Sequence, residues 1–223
     1  MGKTRKGLRY KPQDEFYKKA QKEGFVARSA LKLAEMDKRW KLYKRGQKVL
    51  DLGCAPGSWL QYASEKVGKK GKLLGIDIDP VRVDIENVET IVMSLYDLDP
   101  DAEPLKSWGE FDIIQSDAMV KTIGIAESDV ARSIALVEAS LKIAENGGLR
   151  YGGTFVAKVF EGPGFTEFYT DFKKKFKKQF VGKPEAIRKG SREVYVVGLE
   201  FKGTPKKKAP VAETKKAASK NND

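Results

Sequence analysis

The run VLDLGCAPGSW, Val49–Trp59, constrains the fold more than any other stretch of this chain. An apolar strand, Lys48–Gly53, ends in a glycine turn that leads into a helix over Trp59–Val67, with Leu60, Ala63 and Val67 on one face. Strand, glycine turn and helix in that order mark open α/β sheets, which bind nucleotides outside the carboxyl ends of their strands. Gly53 and Gly57 are expected to let the backbone come close to a ligand. Asp77 ends the next apolar run, KLLGID, and is expected to accept hydrogen bonds from ribose hydroxyls.

The rest of the chain repeats this alternation. Strands are predicted over Glu89–Met93, Phe111–Asp117, Thr154–Phe160, Val181–Ile187 and Glu193–Phe201. Helical spacing predicts two helices between Asp14 and Trp40, broken at Gly24. A long helix is predicted over Glu127–Asn146, stopped by Asn146-Gly147-Gly148, and a basic one over Phe165–Phe180. Strands alternating with helices give an α/β domain with a mainly parallel sheet. Its expected span is residues 25–202, after a basic arm and helix over 1–24 and before a basic, disordered tail over 203–223.

Composition narrows the chemistry. The 223 residues hold one cysteine, Cys54, so no internal disulfide forms, and no histidine. Acid–base work falls to lysine, carboxylate or tyrosine, and no metal site is expected. No apolar run reaches the roughly 18 residues of a membrane helix, and no signal segment is read at the basic N-terminus. A cytoplasmic protein, monomeric and without a membrane partner, is expected. The net charge is +12 and unevenly spread: +11 over residues 1–48, −10 over 49–172 and +11 over 173–223. Basic ends around an acidic middle point to a polyanion partner.

The glycine turn lacks the G-x-G-x-x-G of dinucleotide sites, and no Gly-Lys-Ser/Thr follows it, which excludes a P-loop. The acidic middle suits a cationic ligand better than a pyrophosphate. S-adenosylmethionine, a sulfonium attached to an adenosine ribose, fits both the acids and the turn. A lysine inside an apolar strand adds a further constraint. Phe155, Ala157 and Val159 form one face of Thr154–Phe160, and Lys158 lies with Val156 and Phe160 on the other. Lysine is rarely buried without a partner, so Lys158 either snorkels out at the strand's end or belongs to a site.

The succession DLGCAPGSWLQ, GIDIDP, Ser116-Asp117, FVAKVFEGPGF and SREVYVV, from about Phe25 to Phe201, resembles the FtsJ-like ribosomal RNA 2′-O-ribose methyltransferases. The resemblance implies a Rossmann-like class I S-adenosylmethionine-dependent methyltransferase, with a seven-stranded sheet and helices on both faces. It implies a catalytic lysine–aspartate–lysine–glutamate tetrad of Lys32, Asp117, Lys158 and Glu193. For the cofactor it implies Gly57, Trp59 and Asp77, with Asp117 near the transferred methyl and with Asp51 and Gly53 in the same loop. Lys158 is then either a neutral base for the ribose hydroxyl or a charged stabiliser of the alkoxide. The implied partner is RNA, most naturally large-subunit ribosomal RNA; a transfer RNA, an mRNA cap, or a non-catalytic role in ribosome assembly are the alternatives.

The chain departs from the family pattern in four places. Met93-Ser94 replaces Gly-Asp after the third strand, so the adenine-side acid is either Asp97 or absent. Ser116–Val120 differs from the usual S-D-M-A-P. Gly147–Gly153 is a longer turn, and Gly57-Ser58 replaces Gly-Gly. Lysines at 3, 6, 11, 18, 19, 22, 173, 174, 175, 177 and 178, with Arg5 and Arg9, are expected to meet phosphates, and Tyr10, Phe16 and Tyr17 to stack on bases. Cys54 is read as a packing residue.

Overall fold

The computed structural model describes residues 13–188 and 190–203. The arm residues before Gln13, with Tyr10, and the tail after Gly203 lie outside the described residues. Two helices open the described chain, α1 (Gln13–Lys22) and α2 (Ser29–Trp40), separated where Gly24 takes φ 82°. β1 (Lys48–Leu52), α3 (Ser58–Val67), β2 (Lys72–Asp77) and β3 (Val88–Val92) follow. A 3₁₀ turn (Leu95–Asp97) and the short α4 (Leu105–Trp108) lead to β4 (Phe111–Ser116) and α5 (Ala126–Ile143). The chain ends with β5 (Leu149–Phe160), α6 (Phe165–Lys175), β6 (Phe176–Gly182) and β7 (Glu193–Phe201).

The strands form one seven-stranded sheet in the order β3-β2-β1-β4-β5-β7-β6. β1 to β5 run parallel, and β7 is antiparallel to both β5 and β6. Strand alternation divides the core between two faces. Leu50, Leu52, Phe155, Ala157 and Val159 bury against α4, α5 and α6 through Leu105, Val137, Leu141, Phe168 and Phe172. Val49, Leu73 and Ile113 bury against α3, and Val156, Tyr195 and Val197 against α2 and its neighbours. The chain reverses its direction of travel across the sheet between β1 and β4, which opens a crevice at their carboxyl ends.

The last third differs from the sequence expectation. The predicted helix Phe165–Phe180 ends at Lys175, and the sixth strand occupies Phe176–Gly182 instead of Val181–Ile187. It ends before Pro184, which has no N–H to offer a ladder. Lys177 and Lys178 therefore lie on an edge strand, paired with Glu200, and not on the helix that carries Lys173, Lys174 and Lys175. β5 also starts earlier than Thr154. Leu149 pairs with Phe111 and Thr154 with Ile113, so the long glycine turn is absorbed as an irregularity in β5 at the sheet's opposite end from the crevice. Among the described residues, no helix is long and apolar enough to cross a membrane.

Candidate active site

A cleft of about 620 Å³ opens at the carboxyl ends of β1, β2, β4 and β5. Gly53, Asp77, Asp117 and Lys158 line it, each just beyond or near the end of its strand, together with Ser29 at the start of α2. Its apolar wall includes Ile76, Met93, Leu95 and Leu136.

Two glycines shape the first loop by close approach of chain to chain. Gly53 has φ 74°, and a Cβ on it would lie 2.4 Å from the Ala118 Cβ and 2.5 Å from its Cα. Gly57 has φ 112°, and a Cβ there would meet Val83 Cγ2 at 2.4 Å. Each glycine permits chain to pass against chain; Gly53 also lines the cleft, whereas Gly57 sits beneath Val81 and Val83. Asp77 fixes the same loop. Its Oδ2 accepts from the Ala55 N–H at 2.8 Å and its Oδ1 from the Asp79 N–H at 3.0 Å. A carboxylate oxygen accepts more than one bond, so Asp77 still offers acceptors to the cleft.

The four tetrad residues converge although they are far apart in sequence. Ser116 pairs with Ala157, which sets Asp117 beside Lys158. Lys158 is opposite Tyr195, and Phe160 is opposite Glu193, so antiparallel β7 brings its first residues to the carboxyl end of β5. The Lys158 ammonium lies 3.0 Å from Asp117 Oδ1 and donates to the Asp117 backbone carbonyl at 2.5 Å. Lys32, on α2, forms an ion pair with Glu193 Oε1. Both lysines are buried, at 7% and 8% exposure, and each has a carboxylate partner to offset desolvation. The buried lysine in the apolar strand is thus held in a site and does not snorkel away.

Lys32 and Glu193 are not among the residues that line the cleft, and Gly57, Trp59, Asp97 and Asp51 lie outside that lining as well. Trp59 is buried behind the site; its Nε1 donates to the Ser29 carbonyl at 3.0 Å and its ring lies 5.7 Å from that of Tyr195. Asp97 is exposed at the end of the 3₁₀ turn, while Met93 and Ser94, at the positions of the family's Gly-Asp, face the cleft. Asp51 is fully buried, and neither of its carboxylate oxygens has a hydrogen-bond partner. Burial drives its carboxyl well above the usual carboxylate range; the Gln115 side chain opposes that rise, although no hydrogen bond of normal geometry joins the two. The Cys54 thiol is likewise pushed up, first by burial and then by Asp51 and Asp77, which suits a packing residue and not a nucleophile.

Two features, the anchor of the loop after Asp117 and the contacts of Tyr195, were missed in the sequence. The loop Ala118–Lys121 lines the cleft, and Asp129 pins its continuation by accepting from the N–H groups of Ile123 (2.8 Å) and Gly124 (3.2 Å). Tyr195 is fully buried, with its hydroxyl 2.7 Å from Asp117 Oδ1 and 2.9 Å from Glu193 Oε1. The spacing Glu193-x-Tyr195 on one strand was the available signal, since residues two apart share a face.

The sheet order, the crevice at the strand ends and the lysine–carboxylate cluster define a Rossmann-like methyltransferase. Comparisons with known proteins agree. The model of the FtsJ-like methyltransferases matches residues 25–201, and the chain belongs to that family. The chain is 48% identical over 193 residues to the ribosomal RNA large subunit methyltransferase E of Desulfatibacillum aliphaticivorans, covering 86% of this chain and 92% of that one. It is 43% identical over 198 residues to the enzyme of the same name from Bdellovibrio bacteriovorus, covering 87% and 100%. A solved structure from Plasmodium falciparum, assigned as a ribosomal RNA methyltransferase, superposes with a TM-score of 0.70 at 30% identity, over 79% of this chain and 98% of that chain.

Proposed function

We propose that this methyltransferase transfers a methyl group from S-adenosylmethionine to a ribose 2′-hydroxyl of large-subunit ribosomal RNA. The observation that carries the reading is the double hold of Asp117 on Lys158. A neutral amine has two N–H groups and one lone pair. Donation to the Asp117 carbonyl and ion-pair contact with its carboxylate fix the nitrogen, and its lone pair is left for a hydroxyl in the cleft, which Lys158 lines. Deprotonation is the difficulty in this reaction, and a positioned base contributes about 10²–10⁴-fold. If Lys158 instead stays charged, the same geometry leaves an N–H for the developing alkoxide.

The donor set suits the cofactor. Asp77 offers acceptors for ribose hydroxyls, Asp117 a negative charge for a sulfonium, and Ile76, Met93 and Leu95 an apolar wall. When bound, S-adenosylmethionine supplies the activated methyl. The chain's own residues orient the hydroxyl, exclude water and hold its proton. The names of the relatives support ribosomal RNA as the substrate. Exposed lysines on α1 and α6 supply the charge that phosphates need. All four tetrad residues come from one chain, which fits a monomer.

The test is incubation with labelled cofactor and large-subunit particles from a methylation-deficient strain, followed by mapping of ribose methylation. The expected result is one new 2′-O-methyl group in the large-subunit RNA. Methylation of transfer RNA or cap substrates instead would overturn the substrate. Failure to bind the cofactor by titration calorimetry would overturn the enzyme reading.

A further inference from the structure

A phenol carries one proton, yet the Tyr195 hydroxyl lies within hydrogen-bond distance of two carboxylates, Asp117 Oδ1 at 2.7 Å and Glu193 Oε1 at 2.9 Å. These are the same oxygens that the lysines use: Lys158 pairs with Asp117 Oδ1 and Lys32 with Glu193 Oε1. The five groups thus form an unbroken line, Lys158–Asp117–Tyr195–Glu193–Lys32, in which Tyr195 is the sole link between two ion pairs among the described contacts. Trp59 packs on the tyrosine ring from one side, and the Lys32 ammonium lies 5.8 Å from its centroid. The ring is therefore fixed and the hydroxyl's remaining freedom is rotation about its C–O bond.

We infer that Tyr195 is a positioning residue that joins the two lysine–carboxylate pairs into one unit, its single proton shared between Asp117 and Glu193. Hydrogen-bonded chains of this kind polarise one another, so a change at one end is felt at the other. When Lys158 holds the substrate proton, its charge satisfies Asp117 and frees the hydroxyl to favour Glu193. When Lys158 is neutral, Asp117 has the greater need of it. Burial, followed by the two neighbouring carboxylates, keeps the phenol far above its ordinary pKa, so it remains an O–H donor throughout the working range. The role explains how Lys32 and Glu193, which do not touch Lys158, bear on the reacting end. Its kinetic consequence rests on the methyl-transfer reading given above; the bridge itself does not.

The test has an arm that needs no turnover. Full-length protein is labelled with tyrosine carrying ¹³C at the ring carbon bonded to oxygen, and the Tyr195 resonance is assigned by its loss in Tyr195→Phe. The resonance is expected to move in Asp117→Asn and also in Glu193→Gln. A resonance that ignores either substitution overturns the bridge. In the kinetic arm, Tyr195→Phe is expected to lower kcat about tenfold, the size of one hydrogen bond to a charged group, with the KM for cofactor unchanged. Lys32→Met should then cost less in the Tyr195→Phe background than alone. Additive losses overturn the coupling. Should Tyr195→Phe not fold, 3-fluorotyrosine incorporation gives a ¹⁹F signal for the same two-substitution test. Wild-type protein inactive on RNA would defeat the functional reading, and the resonance arm would still decide the bridge.

Discussion

Lys158 meets Asp117 at two atoms, the carboxylate Oδ1 at 3.0 Å and the backbone carbonyl at 2.5 Å. A side chain so held has little rotamer freedom, which is the condition for positioning a proton acceptor. Lys158→Ala is expected to lower kcat by about 10²–10⁴-fold. Cofactor affinity, read by titration calorimetry, should change little. Full activity in this variant would remove the mechanism.

Gly53→Ala places a methyl group 2.4 Å from Ala118 Cβ and 2.5 Å from its Cα, at a φ of 74°. Neither atom is the far end of a flexible side chain, so the β1 end and the loop after β4 must separate. A left-handed non-glycine residue costs about 1–2 kcal/mol by itself. With the clash added, thermal or denaturant unfolding is expected to show a loss of about 3 kcal/mol. The cleft wall moves with it, so cofactor affinity should fall as well.

Asp51 gives a pH signature. Its folded-state pKa is raised by burial, so the native chain binds more protons there than the unfolded chain does. Its stabilising contribution is fully present below the ordinary aspartate range and is lost as pH rises toward the folded value. Asp51→Asn, which cannot ionise, removes that loss. The variant is expected to gain Tm relative to wild type at pH 7 and to gain less, or nothing, at pH 4. Equal differences at both pH values would contradict the buried, unpartnered carboxylate.

RNA affinity should be set by exposed lysines. Lys19 and Lys22 on α1 are both exposed. Replacing both with glutamine is expected to weaken binding to a ribosomal RNA fragment and to flatten the log–log salt slope by roughly 1–2. A filter-binding series in salt measures it, and an unchanged slope would take α1 off the RNA surface.

Where a short apolar run was nearly continuous, as in a parallel strand buried on both faces, the sequence carried the fold. KVLDL, KLLGID and FDIIQS each end in a crevice residue or just before one, and each lies within a residue of its expected span. The boundary between α6 and β6 was not legible because FKKKFKKQF has helical spacing of its phenylalanines and no helix breaker. Pairing of Phe176 with Phe201 across the sheet overrides that local preference. β7 has a similar surprise: Glu200 takes φ 58°, and Phe201, which strict alternation would group with Tyr195 and Val197, joins the opposite core face. At the site, motif and spacing singled out the four ionisable residues. Trp59 was named from motif position and Asp97 as the next acid after a motif acid that is absent; neither criterion distinguishes a residue on the cleft wall from one behind or beside it. Tyr195 was overlooked because a tyrosine in an apolar strand reads as core, and it is core except for its hydroxyl.

The reversal of β7 has a practical side. Glu193 and Tyr195 reach the lysine–carboxylate cluster from the start of the strand, while Phe201, at its finish, pairs with Phe176 at the far rim of the sheet. The described chain thus leaves the sheet, up to Gly203, at the pole opposite that cluster. A domain fused directly after Gly203 is expected to leave the cleft open to a bulky polynucleotide.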